Sequence, residues 1–314
     1  MRADCHIHMV LDGVDWKQAA LRHRPAPEDA YIRRVLGIYR ELGYTYLRDG
    51  GDKWGVSART RQLAEEFGIC YRTPIAPISM VGHYGGFIGC QVADLKEYAA
   101  LVRQFRRDGA DFIKIMISGL MDFDRFGVLT EAGLAPETIR QMICIAHDEG
   151  FAVMAHANGA RTVQAAAEAG VDSVEHGAYL DEAALAAMAE NQVVWVPTLS
   201  TIGNLTGVRT VGDAGPYKGC HSERSEESPA TKGVAAPVPT VGDDRKVGAA
   251  GQILESALEN VGAFAAMGGL VAPGTDAGAF NVPHGCGTEE GYLRAAGVIE
   301  EQMEMGAQAI RGKF

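Results

Sequence analysis

Two histidines stand two residues apart at the start of the chain, in Asp4-Cys5-His6-Ile7-His8. On a β-strand such a pair points to one face, roughly 6.5 Å apart along the backbone, a spacing at which two imidazoles can reach one cation. His-x-His alone is a weak signal, because a histidine in an apolar strand is more often a hydrogen-bonded core or surface residue. Four further residues share its character. Lys114 lies between isoleucines in DFIKIMISG, where an unpaired ammonium is expensive to bury; His156 lies in FAVMAHA, His176 in SVEHGA and Asp276 in APGTDA. Each has a plainer reading taken singly, Lys114 in an ion pair and Asp276 as a turn cap. Taken as a set they describe one chemistry. Neutral imidazoles and a carboxylate suit Zn2+, and also admit Mn2+, Fe2+, Co2+ or Ni2+. Burial lowers the pKa of a lysine, so that its free amine can capture carbon dioxide as a carbamate. The cation then becomes an anionic, two-oxygen ligand able to bridge two metals.

Such a site needs strands to present it. Short β-branched or apolar runs occupy residues 3–10, 44–50, 70–76, 112–118, 151–157, 173–178, 193–199 and 269–277. Amphipathic segments lie between them, at 95–109, 136–150 and 251–268 among others, each closing on glycine where a helix C-terminus favours one. Pro136 stands where its missing N–H costs nothing, in a first helical turn. Eight βα units predict a closed (β/α)8 barrel, with the candidate residues at the C-terminal ends of strands 1, 4, 5, 6 and 8, converging on one mouth. An open doubly wound sheet gives the same alternation, but usually with a glycine-rich phosphate loop after strand 1, and no GxGxxG follows it here.

One segment breaks this rhythm. Residues 207–248 are rich in Gly, Pro, Ser and charge, and TVGD occurs in them twice, at 210–213 and 240–243. The segment reads as a long insertion after strand 7 within a single domain spanning 1–314, passive rather than a substrate lid. The whole chain, 314 residues with a net charge of −11, argues against nucleic acid as a partner, because phosphate binding needs a cationic surface. Six scattered cysteines without a CxxC pair predict reduced thiols and a cytoplasmic protein; neither a signal peptide nor a membrane-spanning run is visible. A small-molecule substrate follows, and homo-oligomerisation is left open.

The residue set resembles that of the amidohydrolase superfamily, and the strings DFIKIM, VMAHANG, SVEHGAYLD and PGTDAG are most similar to its imidazolonepropionase-like and Xaa-Pro dipeptidase (prolidase-like) branch. The resemblance covers residues 3–306 apart from the insertion. It implies a TIM barrel holding two divalent metal ions, Zn2+ by preference. His6, His8 and Asp276 would hold one and His156 and His176 the other, bridged by carbamylated Lys114 and a hydroxide. Asp276 would be the catalytic base and acid, taking a proton from the hydroxide and passing it to the leaving nitrogen. The expected reaction is hydrolysis of a C–N bond in a small amide, cyclic amide or dipeptide. A lactonase or phosphotriesterase using the same binuclear site is the alternative, as is a degenerate non-catalytic barrel.

Two departures from the family pattern stand out. The small accessory β-sandwich of many relatives is largely missing, so the chain reads as a minimal form or a truncated one. Asn158 stands where a second histidine is expected, which alters any substrate contact made there. The glycine-flanked His83 and Tyr84 after strand 3, and Tyr179 beside His176, are the predicted substrate contacts. Arg48, Asp49 and His284 are further rim candidates, with an Arg48–Asp49 salt bridge as the duller reading of the first two.

Overall fold

The computed structural model describes residues 2–206 and 244–314. The first third of the chain runs β1 (Arg2–Ile7), α1 (Trp16–Arg22), α2 (Asp29–Glu41), β2 (Tyr44–Asp49), α3 (Val56–Ala64), β3 (Cys70–Arg72), β4 (Ile78–Met80), β5 (Cys90–Val92) and α4 (Leu95–Arg107). The middle is a strict alternation of β6 (Ile113–Met116), α5 (Pro136–Asp148), β7 (Val153–Ala157), α6 (Ala160–Glu168), β8 (Ser173–His176), α7 (Glu182–Glu190), β9 (Val194–Val196) and α8 (Leu199–Thr206). Then follow α9 (Asp244–Ala266), β10 (Leu270–Val271), α10 (Glu289–Ala295) and α11 (Glu300–Lys313).

All the strand ladders are parallel, in two runs ordered β1-β2-β3 and β10-β9-β8-β7-β6-β4-β5. The runs adjoin beyond β10 and through the chain passage that holds β3 and β4. Beyond β10, the Cys5 amide donates to the Pro273 carbonyl at 2.9 Å, Asp276 to His6 at 2.8 Å and His8 to Ala277 at 2.7 Å. At the other join, β3 and β4 are two pieces of one passage, interrupted at Thr73–Pro77, where the two prolines cannot donate to a ladder. The chain is thus a TIM-barrel-type α/β fold, and each of the eight predicted runs contains or overlaps one of its strands.

Alternation along each strand sorts side chains between two compartments. On β6 and its flanks, Ile113, Ile115 and Ile117 join the outer core against the helices, each fully buried and worth about 1.5–3 kcal/mol of transfer free energy. Phe112 belongs to the other side. With Tyr46, Met154, Val194, Val196 and Ala272 it forms an inner floor, closed from below by Ala307, Ile310 and Phe314 at the end of α11. The Phe112 and Phe314 rings meet edge-on at 5.1 Å.

Helix boundaries follow local chemistry. Asp94 and Asp181 cap α4 and α7 through their side chains, and Pro136 opens α5 as predicted. Beyond the ends of α4 and α5, Gly109 and Gly150 take φ of 79° and 83°, the left-handed turn that stops a helix without strain. Within the expected 207–248 insertion, residues 207–243 lie outside the described residues, and from Asp244 onward the chain is already α9. That helix therefore begins before the predicted start at residue 251.

Candidate metal centre

The strand ends carry the six polar residues to one place. His6 Nε2 lies 3.4 Å from His8 Nε2 and 3.6 Å from Asp276 Oδ1, and His8 Nε2 lies 3.4 Å from the same oxygen. One donor atom from each of these residues falls within 4.8 Å of the other two, close enough to share one cation. Lys114 Nζ is 3.1 Å from His6 Nε2. The His156 and His176 rings stand 4.5 Å apart, with His176 5.2 Å from His6. Two of the six sit in strained backbone, His176 at φ 68° and Asp276 at φ 58°, a cost of about 1–3 kcal/mol each that the surrounding hydrogen bonds must hold in place.

Three of the four imidazoles have one ring nitrogen engaged by a group outside the candidate set, which leaves the other for a ligand. His6 Nδ1 meets Glu175 Oε2 at 2.7 Å, His176 Nδ1 meets the Thr198 hydroxyl at 2.7 Å, and His156 Nε2 meets the Gly119 carbonyl at 3.2 Å. Two buried atoms at the centre, His8 Nδ1 and Asp276 Oδ1, have no hydrogen-bond partner among the described residues. Orphaned buried polar atoms are costly, and imidazole nitrogens clustered with a carboxylate oxygen fit a cation. Burial also keeps the imidazoles neutral. It holds His6, His8 and His176 well below the usual histidine range and His156 down to about 3. The same burial pushes Lys114 down toward the free amine and Asp276 up from the ordinary carboxylate range, each opposed by the other's charge.

Close approach makes this centre sensitive to a methyl group. A Cβ on Gly50, at the end of β2, would lie 2.6 Å from Lys114 Nζ and 2.8 Å from His8 Nδ1. Gly50→Ala is therefore expected to abolish metal binding without removing a candidate ligand, as isothermal titration with Zn2+ would show. Unchanged binding would mean that His8 and Lys114 are not held where the fold places them.

The other predicted residues divide. Tyr84 reaches the cavity above the centre, its ring 5.1 Å from that of His156. His83 and Tyr179 are not among the residues lining that cavity. His83 pairs with Glu131, which also accepts the Tyr84 amide at 3.0 Å, and Tyr179 packs edge-on against Phe126 at 5.5 Å. His284 bridges the Tyr39 hydroxyl and the Leu11 carbonyl. Arg48 is not paired with Asp49: neighbouring side chains on a strand point to opposite faces. Asp49 instead accepts the Met9 amide and the Tyr71 hydroxyl, and Arg48 pairs with Glu175 across the barrel.

Asn158 ties three loops together rather than facing a ligand. Its amide donates to Gly119 O at 3.0 Å, its carbonyl accepts from Ala178 N at 3.0 Å, and its backbone N–H donates to Ser118 Oγ at 2.8 Å. Asn158→Ala would orphan buried groups at roughly 1–3 kcal/mol each. Urea unfolding is expected to show that loss, and no shift in midpoint would contradict the role. Glu175 and Thr198, which sequence reading passed over, support the ligands from behind. The one visible signal for Glu175 was an acid within a short strand run, directly before His176.

The cavity holds about 420 Å³ of space, its solvent-open part included, with His8, Lys114, His156, His176 and Asp276 along one side. Leu11, Tyr84, Phe87, Ile88, Met116 and Leu120 provide most of the remainder. Among the described residues lining it, Lys114 is the single lysine or arginine.

Comparison with known proteins bears on the family and the fold. The sequence model described as the Amidohydrolase family matches residues 53–307. The ochratoxinase of Aspergillus niger is 27% identical over 235 residues, 63% of this chain and 47% of that protein. The chain thus spans about half the length of the curated relatives it matches. Among solved structures, a Xaa-Pro dipeptidase with methionine bound in its active site superposes with a TM-score of 0.72 at 21% identity, over 98% of this chain and 74% of that one. The A. niger ochratoxinase structure gives 0.69 at 21% identity, over 99% and 69%. At such identities the structural likeness speaks for the fold. His6 and His8 precede the matched range, so their place in the centre rests on the structure.

Proposed function

The chain belongs to the amidohydrolase family, and from that premise we propose that it hydrolyses a C–N bond with two divalent metal ions. The observation that carries the proposal is the convergence of His6, His8, Lys114, His156, His176 and Asp276 on one place, with donor atoms of His6, His8 and Asp276 all within 4.8 Å of one another and five of the six residues lining one cavity. His6, His8 and Asp276 would hold one ion, His156 and His176 the other, and Lys114, carbamylated, would bridge them. The imidazole-rich donor set favours zinc. When bound, such ions activate water near neutral pH and polarise a carbonyl.

The chain's own groups supply the rest. Asp276 is the catalytic residue: its carboxylate takes the proton of the attacking water and returns it to the leaving nitrogen. The Thr201 hydroxyl donates to Asp276 Oδ2 at 3.3 Å, fixing the orientation of that carboxylate. Tyr84 and Phe87, with rings 5.6 Å apart, offer an apolar wall to the substrate. That lining supports a small amide carrying an uncharged apolar group ahead of a free dipeptide, whose carboxylate would seek a cation. No described helix is long and apolar enough to cross a membrane. A cytoplasmic location is supported by the free thiols of Cys5, Cys70, Cys90, Cys144 and Cys286.

The test is a turnover screen of the Zn2+-loaded protein against N-acyl amino acid amides with aromatic or charged side chains, the corresponding N-acyl amino acids, Xaa-Pro dipeptides, lactones and aryl phosphotriesters. Chelator-sensitive hydrolysis of amides, fastest with aromatic members, is expected. Turnover of lactones or phosphotriesters with none of amides would overturn the proposal.

A further inference from the structure

Below the candidate ligands lies a buried polar set that the proposed reaction does not use. Glu175 and Arg48 are both fully buried and form an ion pair, Arg48 Nη2 to Glu175 Oε1 at 2.7 Å. Arg48 also donates through Nε to the Cys5 carbonyl at 2.7 Å and through Nη1 to Ser173 Oγ at 2.9 Å. The Ser173 hydroxyl passes its own hydrogen to Glu175 Oε1 at 2.6 Å. Beneath, the guanidinium lies 4.5 Å from the centre of the Phe314 ring. Oε1 thus accepts from two donors, Arg48 and Ser173, while among the described residues the hydrogen-bond partner of Oε2 is His6 Nδ1 at 2.7 Å.

Stability is a poor reason for this arrangement. Desolvating two ions costs several kcal/mol each, and well-packed apolar residues often serve a barrel interior as well or better. What the pair supplies is a rigid acceptor at one atom. A carboxylate held against a guanidinium accepts hydrogen bonds and donates none, so His6 Nδ1 must carry the proton and its Nε2 must present a lone pair. That Nε2 is the atom beside His8 Nε2 and Asp276 Oδ1.

We propose that Arg48 and Glu175 form a positioning relay that locks His6 in its Nδ1–H tautomer and aims its Nε2 at the metal centre. Neither residue touches substrate or metal; both act through His6. The inference rests on the metal-centre reading above, and it adds to that reading a cause for the affinity of the His6 position. Such outer partners of a ligating histidine are typically worth about 10–100-fold in metal affinity.

Two measurements test it. In the wild-type protein labelled with 15N-histidine, long-range 15N–1H correlation spectra, with His6 assigned by its loss in His6→Gln, are expected to show His6 as the Nδ1–H tautomer. The Nε2–H tautomer would overturn the relay, and this reading needs no substitution at the relay itself. Second, competition with a chromophoric chelator would compare Zn2+ affinity in the wild type, Glu175→Gln and Arg48→Met/Glu175→Gln, each checked for folding by circular dichroism. Both folded variants are expected to bind about 10–100-fold more weakly. Wild-type affinity in either would refute the relay, the double variant having removed the stranded charge that a purely structural account would blame. Absence of Zn2+ binding in the wild type would instead sink the metal-centre reading, and the tautomer measurement would still decide the hydrogen-bond assignment.

Discussion

Lys114→Ala is expected to empty the metal centre and reduce hydrolysis to the level of the metal-free protein. Lys114 is 1% exposed, with isoleucines on both sides in the strand, and its amine lies 3.1 Å from a histidine nitrogen. As an ammonium it would repel the two cations proposed for this cavity; as a carbamate it supplies the anionic bridge that four neutral imidazoles and one carboxylate cannot. Without the bridge, two dications share a single protein anion in a buried site, and uncompensated buried charge costs several kcal/mol per ion. Metal analysis and turnover on the same preparation read the outcome. Lys114→Met separates loss of the ligand from loss of the fold, because it fills similar space without a buried charge and its metal-free form should unfold at no lower temperature. Wild-type activity in either variant would refute the carbamate bridge.

Asp276→Asn addresses proton transfer. The amide preserves the shape of the side chain and can still accept from Thr201, but it cannot take up a proton as the carboxylate does. At saturating metal, kcat is expected to fall by about 10²–10⁴-fold, the usual worth of a positioned acid–base group. KM should change far less, because the apolar wall formed by Tyr84 and Phe87 is untouched. Steady-state kinetics over a range of Zn2+ concentrations separates this loss from weaker metal binding. A kcat within a few-fold of wild type would remove Asp276 from the proton-transfer step.

The sequence displayed those features whose information is local. Strand periodicity located the eight runs, because a parallel barrel buries both faces of each strand and leaves short apolar stretches between amphipathic helices. The six candidate ligands were legible for a related reason: His, Lys and Asp at the ends of such stretches are too costly to place there without a partner. What escaped notice was set by distant contacts. Glu131, the partner of His83, comes from a loop 48 residues away, and Glu175, the partner of Arg48, comes from across the barrel. Asn158 read as a departure from a family pattern, and its function in joining three loops emerged only once Gly119 and Ala178 were seen on either side of it. The break between β3 and β4 was similarly obscured: Pro74 and Pro77 interrupt the ladder, yet the chain continues along the same passage.

The six converging residues are proposed to form a two-metal centre bridged by a modified lysine. The most direct test is metal content in protein prepared without chelator and reconstituted with Zn2+ in the presence of 13C-bicarbonate, read by elemental analysis and 13C NMR. The account predicts about two equivalents of metal per chain and a carbamate carbon signal that disappears in Lys114→Ala. Protein that takes up no metal under these conditions, or that holds two equivalents with no such signal, would contradict it.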